Sequence, residues 1–200
     1  MTKLFEESID LLRKLISTPS FSKEESETAD LIQRYLEEKT ISVDRHGNNV
    51  WATNQHFDEQ KETILLNSHH DTVQPNSGYT NDPFAPEIEG GKLYGLGSND
   101  AGGALVALMA TFIHLYEQES LNYNLVFAAT AEEEISGDNG ISSILDQLPD
   151  FNCAIVGEPT QMEMATAEKV LMVLDCLAIG KSGHAARYEG TNAIYIAAGD

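Results

Sequence analysis

Apolar residues recur at helical spacing over residues 3–16, where Leu4, Phe5, Ile9, Leu12, Leu15 and Ile16 share one face. The Thr18-Pro19-Ser20 turn ends that pattern. A second helical stretch over 24–38 turns Ala29, Leu31, Ile32, Tyr35 and Leu36 inward. Short strands follow at 41–44 and 50–52, joined by the turn His46-Gly47-Asn48-Asn49. Residues 63–67 and 125–130 are nearly continuous apolar runs, the pattern of strands buried on both faces. Between them lie a polar loop over 71–91 with three prolines and a glycine- and alanine-rich helix over 102–116. A loop that long inside a packed domain is usually functional. The pattern then predicts a helix over 141–148 and a strand over 153–156. Strands alternating with helices make a three-layer α/β sheet the expected architecture.

After Pro159 the pattern changes. Residues 162–178 alternate, with Val170, Met172, Leu174 and Cys176 on one side, as in a two-sided sheet. A helix starts at 192–198. A boundary is therefore expected within 160–166, giving one domain over 1–165 and the beginning of a second over 166–200.

Charge narrows the possible partners. The 200 residues carry 12 Lys plus Arg against 32 Asp plus Glu, a formal charge of −20. Phosphate backbones and anionic membrane surfaces select basic faces, so neither nucleic acid nor membrane is expected as a partner. Cys153 and Cys176 have no metal-site spacing and sit in apolar surroundings, so both read as small buried hydrophobes of a reducing compartment. The first 16 residues carry Glu6, Glu7, Asp10, Arg13 and Lys14, unlike a secretory signal, and a cytoplasmic setting is expected.

The acids and histidines fall at the ends of the predicted strands. His69-His70-Asp71 follows the strand over 63–67, Glu132-Glu133-Glu134 follows that over 125–130, and Glu158 follows that over 153–156. Asp100 closes the turn before the glycine-rich helix. Ligands of α/β sheets bind beyond the carboxyl ends of strands, so these groups should converge on one crevice. Taken singly, each has a plainer reading: Asp100 as a helix cap, the glutamate triplet as a solvated face, Glu158 as a turn residue. Together, a histidine and several carboxylates at one edge describe a cation site, because unpaired buried carboxylates repel.

The run Ser68-His69-His70-Asp71-Thr72-Val73-Gln74-Pro75 resembles the His-x-Asp-x-Val-x-Pro signature of the two-zinc aminoacylase and carboxypeptidase family. That family includes acetylornithine deacetylase, succinyl-diaminopimelate desuccinylase, aminoacylase and glutamate carboxypeptidase. Asp82-Pro83-Phe84, Leu93 to Asp100, Thr130 to Glu134 and Val156-Gly157-Glu158-Pro159-Thr160 follow in the family's order. Gly180-Lys181-Ser182-Gly183-His184 with Asn192-Ala193-Ile194 resembles the start of its lid domain.

The resemblance implies an α/β/α catalytic domain followed by a smaller lid and dimerisation domain. It implies two divalent ions, zinc or alternatively cobalt. His69, Asp100 and Glu158 would hold one, and Asp100 would bridge to a second held by Glu134 and a histidine far downstream. Asp71 would orient the His69 ring, and Glu133 would be the general base. His184 would stabilise the oxyanion in a partner subunit's site, so a homodimer is implied, and His70 receives no role. Leu96 and Gly102 depart from the arginine and lysine frequent in the family, and no histidine follows His184 to supply the downstream ligand. A protein nearly twice as long is therefore expected. The implied reaction is hydrolysis of an N-acyl amino acid, with acetylornithine or a related arginine precursor foremost. A dipeptidase or aminopeptidase, or a metal-binding relative without catalysis, are the alternatives.

Overall fold

The computed structural model describes residues 2–167, 176–184 and 189–199. The chain divides into two units, Met1–Met162 and Glu163–Asp200. The first holds seven strands: β1 (Asp44–His46), β2 (Asn49–Thr53), β3 (Thr63–His69), β4 (Glu87–Glu89), β5 (Lys92–Tyr94), β6 (Asn124–Thr130) and β7 (Cys153–Val156). Its helices are α1 (Thr2–Ser17), α2 (Ser26–Glu37) and α3 (Gly103–Leu115). The second unit contains α4 (Ala193–Ala198), at the position the sequence predicts, and a bridge between Lys181 and Thr191. Most of the predicted strand over 162–178 lies outside the described residues.

Five strands form one mixed sheet in the order β1-β2-β6-β3-β7. β6 is buried at every position, and it runs parallel to β3 and antiparallel to β2. Its side chains alternate between faces, as a strand's must. Leu125, Phe127 and Ala129 meet Leu11, Leu12, Leu15 and Ile16 of α1, Ile32 and Leu36 of α2, and Leu105, Met109 and Phe112 of α3. Each leucine, isoleucine, methionine or phenylalanine among them, wholly buried, contributes about 1.5–3 kcal/mol. Phe5, placed on the inner face of the first helix by its spacing, is instead 66% exposed. The buried stripe comprises Ser8, Leu11, Leu12, Leu15 and Ile16.

Val126 and Ala128 face the other way and pack with Trp51, Leu65, Ile144 and Leu148. The segment over 141–148, predicted as a helix, covers this face as a 3-10 turn at Ile141–Ser143 followed by isolated turns. Ser143 Oγ donates to the Gly140 carbonyl at 2.7 Å, the competition by which serine disfavours helix interiors, and Pro149 stops any continuation. A hairpin, β4–β5, interrupts the predicted loop; Gly90 and Gly91, both at positive φ, form its turn.

β7 pairs only with β3 among the described residues, and all four of its positions are exposed. Cys153 is therefore exposed rather than buried: an apolar run on an edge strand lacks the second neighbour that would cover it. Cys176, in the second unit, is also exposed.

Candidate active site

Register explains where the chemistry gathers. β3 and β6 run in parallel with His69 opposite Thr130, and β7 runs beside β3 with Val156 opposite Asn67. All three strands thus end at one edge, where His69 closes β3 and Asp71, Glu132 to Glu134 and Glu158 lie within four residues of a strand end. Asp100 arrives from the turn before α3, which packs on β3. It does not cap that helix, whose first residue lacks any side-chain cap.

His69 is the centre of the group and is 1% exposed. Its Nδ1 lies 3.1 Å from the Asp71 main-chain oxygen and 3.3 Å from Asp71 Oδ1. Two acceptors there put the proton on Nδ1, which aims Nε2 at the carboxylates. Nε2 is 3.1 Å from Asp100 Oδ1, and 3.8 Å from both Glu133 Oε2 and Glu158 Oε2. His69, Asp100 and Glu134 bring ligand atoms within 4.8 Å of one another. Glu158 stands beside His69 without joining that tightest set.

The electrostatics follow from the crowding. Burial works to lower the His69 pKa, but the Asp71 hydrogen bond and the charges of Asp71, Glu158 and Glu133 outweigh it and raise it to about 9. Burial, then repulsion from Asp100, raises Glu134 above the usual carboxylate range. Glu158 is raised by burial and by Glu133, Asp100 and Glu134. Asp71 is the opposite case. Its burial alone would raise it, yet donors from His69, Ser22, Glu133 and Glu134 hold it below the usual range.

Those donors show what Asp71 does structurally. Ser22 Oγ donates to Oδ2 at 2.7 Å, the Glu133 N–H to Oδ1 at 3.0 Å, and the Glu134 N–H to Oδ2 at 3.2 Å. One carboxylate therefore fixes both the His69 ring and the main chain carrying the exposed Glu133 and the half-buried Glu134. Two further acceptors, neither singled out by the sequence pattern, continue the row: Asn49 Oδ1 takes the Ala131 N–H at 3.0 Å, and Glu25 Oε1 takes the Glu132 N–H at 3.2 Å. Glu132 itself turns inward and is buried, contrary to the solvated reading of the triplet. Its carboxylate receives the Asn139 side chain at 2.8 Å, and a Cβ at Gly137 would lie 2.1 Å from Glu132 Oε2. His70, also buried, binds Thr28 through Nδ1 and the Asn48 carbonyl through Nε2, each at 2.9 Å. Burial lowers its pKa, so this ring is a neutral brace.

The sequence matches Peptidase family M20/M25/M40 over residues 65–190. The chain belongs to this family. It is 33% identical to succinyl-diaminopimelate desuccinylase of Blochmanniella pennsylvanica, over 78% of this chain and 44% of that protein. It is likewise 33% identical to acetylornithine deacetylase of Proteus mirabilis, over 93% of this chain and 51% of that protein. The chain thus spans about half the length of the curated relatives it matches. The fold resembles that of a family M20 metallo-carboxypeptidase from Sulfolobus solfataricus, with TM-score 0.63 and 24% identity over 76% of this chain and 37% of that one. It also resembles a dinuclear metal-binding peptidase of Bacillus subtilis, with TM-score 0.59 and 21% identity over 78% of this chain and 43% of that one.

Within this M20 chain, six of the seven expected site residues lie in the first unit around the sheet edge, and His184 lies at an exposed position of the second. Of the two departures from the family pattern, Gly102 has a local reason: a Cβ there would meet the Gly97 carbonyl at 2.6 Å and Leu12 Cδ1 at 2.7 Å. Leu96 is buried.

The residues fit a divalent cation. The Nε2 lone pair of His69 faces three carboxylates, which is repulsive unless a proton or a cation stands between them. The ring nitrogen and carboxylate oxygens are the donors a zinc-type ion takes, and Asp71 supplies the support behind the histidine that such sites use. No helix among the described residues is long and apolar enough to cross a membrane.

Proposed function

We propose that this chain carries the catalytic centre of a metal-dependent amidohydrolase that removes the acyl group from an N-acyl amino acid. The observation carrying this reading is the meeting of His69, Asp100 and Glu134 within 4.8 Å, with Glu133 Oε2 3.8 Å from the same ring nitrogen. His69, Asp100, Glu134 and Glu158 are the residues that would hold the divalent ions, zinc or cobalt. When bound, such ions supply Lewis acidity, polarising the scissile carbonyl and acidifying the attacking water. Glu133 is the neighbour left for proton transfer. It takes the water proton and returns it to the leaving amine, first as base and then as acid. Asp71 keeps the His69 proton on Nδ1 and holds the Glu133–Glu134 main chain in place. His184 would act on the oxyanion in the partner subunit of a homodimer built through the second unit.

The substrate reading rests on the two relatives, a desuccinylase and a deacetylase of N-acyl amino acids. An arginine precursor such as acetylornithine is our first choice, in a cytoplasmic biosynthetic setting. The test is hydrolysis by the full-length protein, loaded with zinc or cobalt, of acetylornithine, acetylcitrulline, succinyl-ornithine and a dipeptide. Preference for an acylated amino acid supports the proposal. Cleavage of the dipeptide alone would move the assignment to a peptidase, and metal-independent turnover would end it.

A further inference from the structure

Glu25 is fully buried and precedes α2, yet its carboxylate makes no cap to that helix. It binds three donors outside that helix instead. Oε1 accepts the Lys23 N–H at 2.6 Å and the Glu132 N–H at 3.2 Å, while Oε2 accepts Asn48 Nδ2 at 2.9 Å. All three donors are uncharged amides. Taking a carboxylate out of water is costly, and an apolar side chain would fill the same volume more cheaply. A role in packing alone therefore does not explain a carboxylate at this position.

The bond to Glu132 supplies a reason. Glu132 adopts a left-handed conformation, φ 54° and ψ 23°, which a residue other than glycine keeps only when its surroundings enforce it. That turn sends the Glu132 side chain inward to Asn139 and leaves Glu133 and Glu134 facing the site. Four successive N–H groups, of Ala131 to Glu134, are each held by a side-chain acceptor: Asn49, Glu25, and Asp71 twice. Glu25 holds the one at the left-handed residue, where the chain changes direction. Asp71 also binds the His69 ring, whereas the Glu25 carboxylate bonds to Lys23, Asn48 and Glu132 and to none of the proposed metal ligands.

We propose that Glu25 is a positioning residue that sets Glu133 and Glu134 through the Glu132 main-chain N–H. This rests on the hydrolytic reading of Glu133 and Glu134 given above. The acceptor at Oε1, rather than the charge, carries the effect. Glu25→Met removes the acceptor and keeps the length; Glu25→Gln keeps an acceptor, since the Asn48 amide can turn to meet the new NH2.

The experiment compares wild type, Glu25→Met and Glu25→Gln in the full-length zinc-loaded protein, by steady-state kinetics and by hydrogen exchange of the peptide spanning 131–134. Supporting side chains behind a metal site are typically worth about 10–100-fold in activity or affinity. Glu25→Met should lose kcat by about that factor with KM within about twofold, and exchange over 131–134 should accelerate. Glu25→Gln should stay within about threefold of wild type in both. Unchanged kcat and exchange in a folded Glu25→Met protein would overturn the proposal, as would an equal kcat loss in the Gln variant. If Glu25→Met does not fold, Glu25→Asp carries the test, because it keeps the charge but withdraws the acceptor; normal kcat there overturns the proposal. Wild type inactive on every amide would instead defeat the hydrolytic reading, and the exchange comparison would still decide whether Glu25 holds the 131–134 main chain.

Discussion

The two sides of the candidate site are built differently. On the strand-end side, His69, Asp71, Glu132 and Glu25 are buried, and hydrogen bonds to neighbouring segments hold each of them. On the facing side, the Asp100 and Glu133 side chains are 57% and 55% exposed. The buried side fixes geometry, since each group there has its partners already and little freedom to move. The open side presents carboxylates to whatever enters. Chemistry that needs both a fixed frame and an accessible base is served by this division.

The open side should show the largest effect, at Glu133. Glu133→Ala in the full-length protein should cost about 10²–10⁴-fold in turnover, the range for one general base, with zinc content unchanged. Glu133→Ala protein that loses its zinc in equilibrium dialysis would place Glu133 among the ligands instead. The next effect is pH. In the metal-free chain His69 keeps its proton up to about 9, against an ordinary value of 6.5. Protonation therefore stabilises the metal-free fold fully below 6.5, and that stabilisation fades as pH rises through about 9. A cation must displace this proton, so apparent zinc affinity should rise about tenfold per unit towards pH 9, or about a hundredfold between 7 and 9. Competition titration with a chelator of known pH behaviour measures it; a flat profile would mean His69 is not a ligand. Asp71→Asn belongs to the buried side and should be milder. Its amide would face the Glu133 or Glu134 N–H, and zinc affinity should fall by about 10–100-fold while the protein stays folded.

Legibility in the sequence follows the same division. The central strands are visible as apolar runs, and strand-end placement indicates that the clusters at His69, Glu132 to Glu134 and Glu158 converge, because parallel register carries local position into three dimensions; which of them are ligands, Asp100 included, is legible only through the family resemblance. The supporting row was not legible. Glu25, Asn49 and Glu132 are joined across separations of up to 107 residues, and no periodicity encodes such pairings. Two local signals do encode the intervening segments. Gly90-Gly91 between Glu87-Ile88-Glu89 and Lys92-Leu93-Tyr94 is a hairpin signature, and serines beside Gly140 argue against a helix over 141–148. The exposure of Cys153 is not encoded locally, since an apolar run reads the same on a central strand as on an exposed edge.

Anomalous scattering from crystals soaked in zinc shows whether the strand-end residues hold metal. A peak should lie within about 2.0–2.2 Å of His69 Nε2 and of carboxylate oxygens from Asp100 and either Glu134 or Glu158. The absence of any peak at this cluster at millimolar zinc, or zinc bound only elsewhere on the chain, would show that these residues are not a metal site.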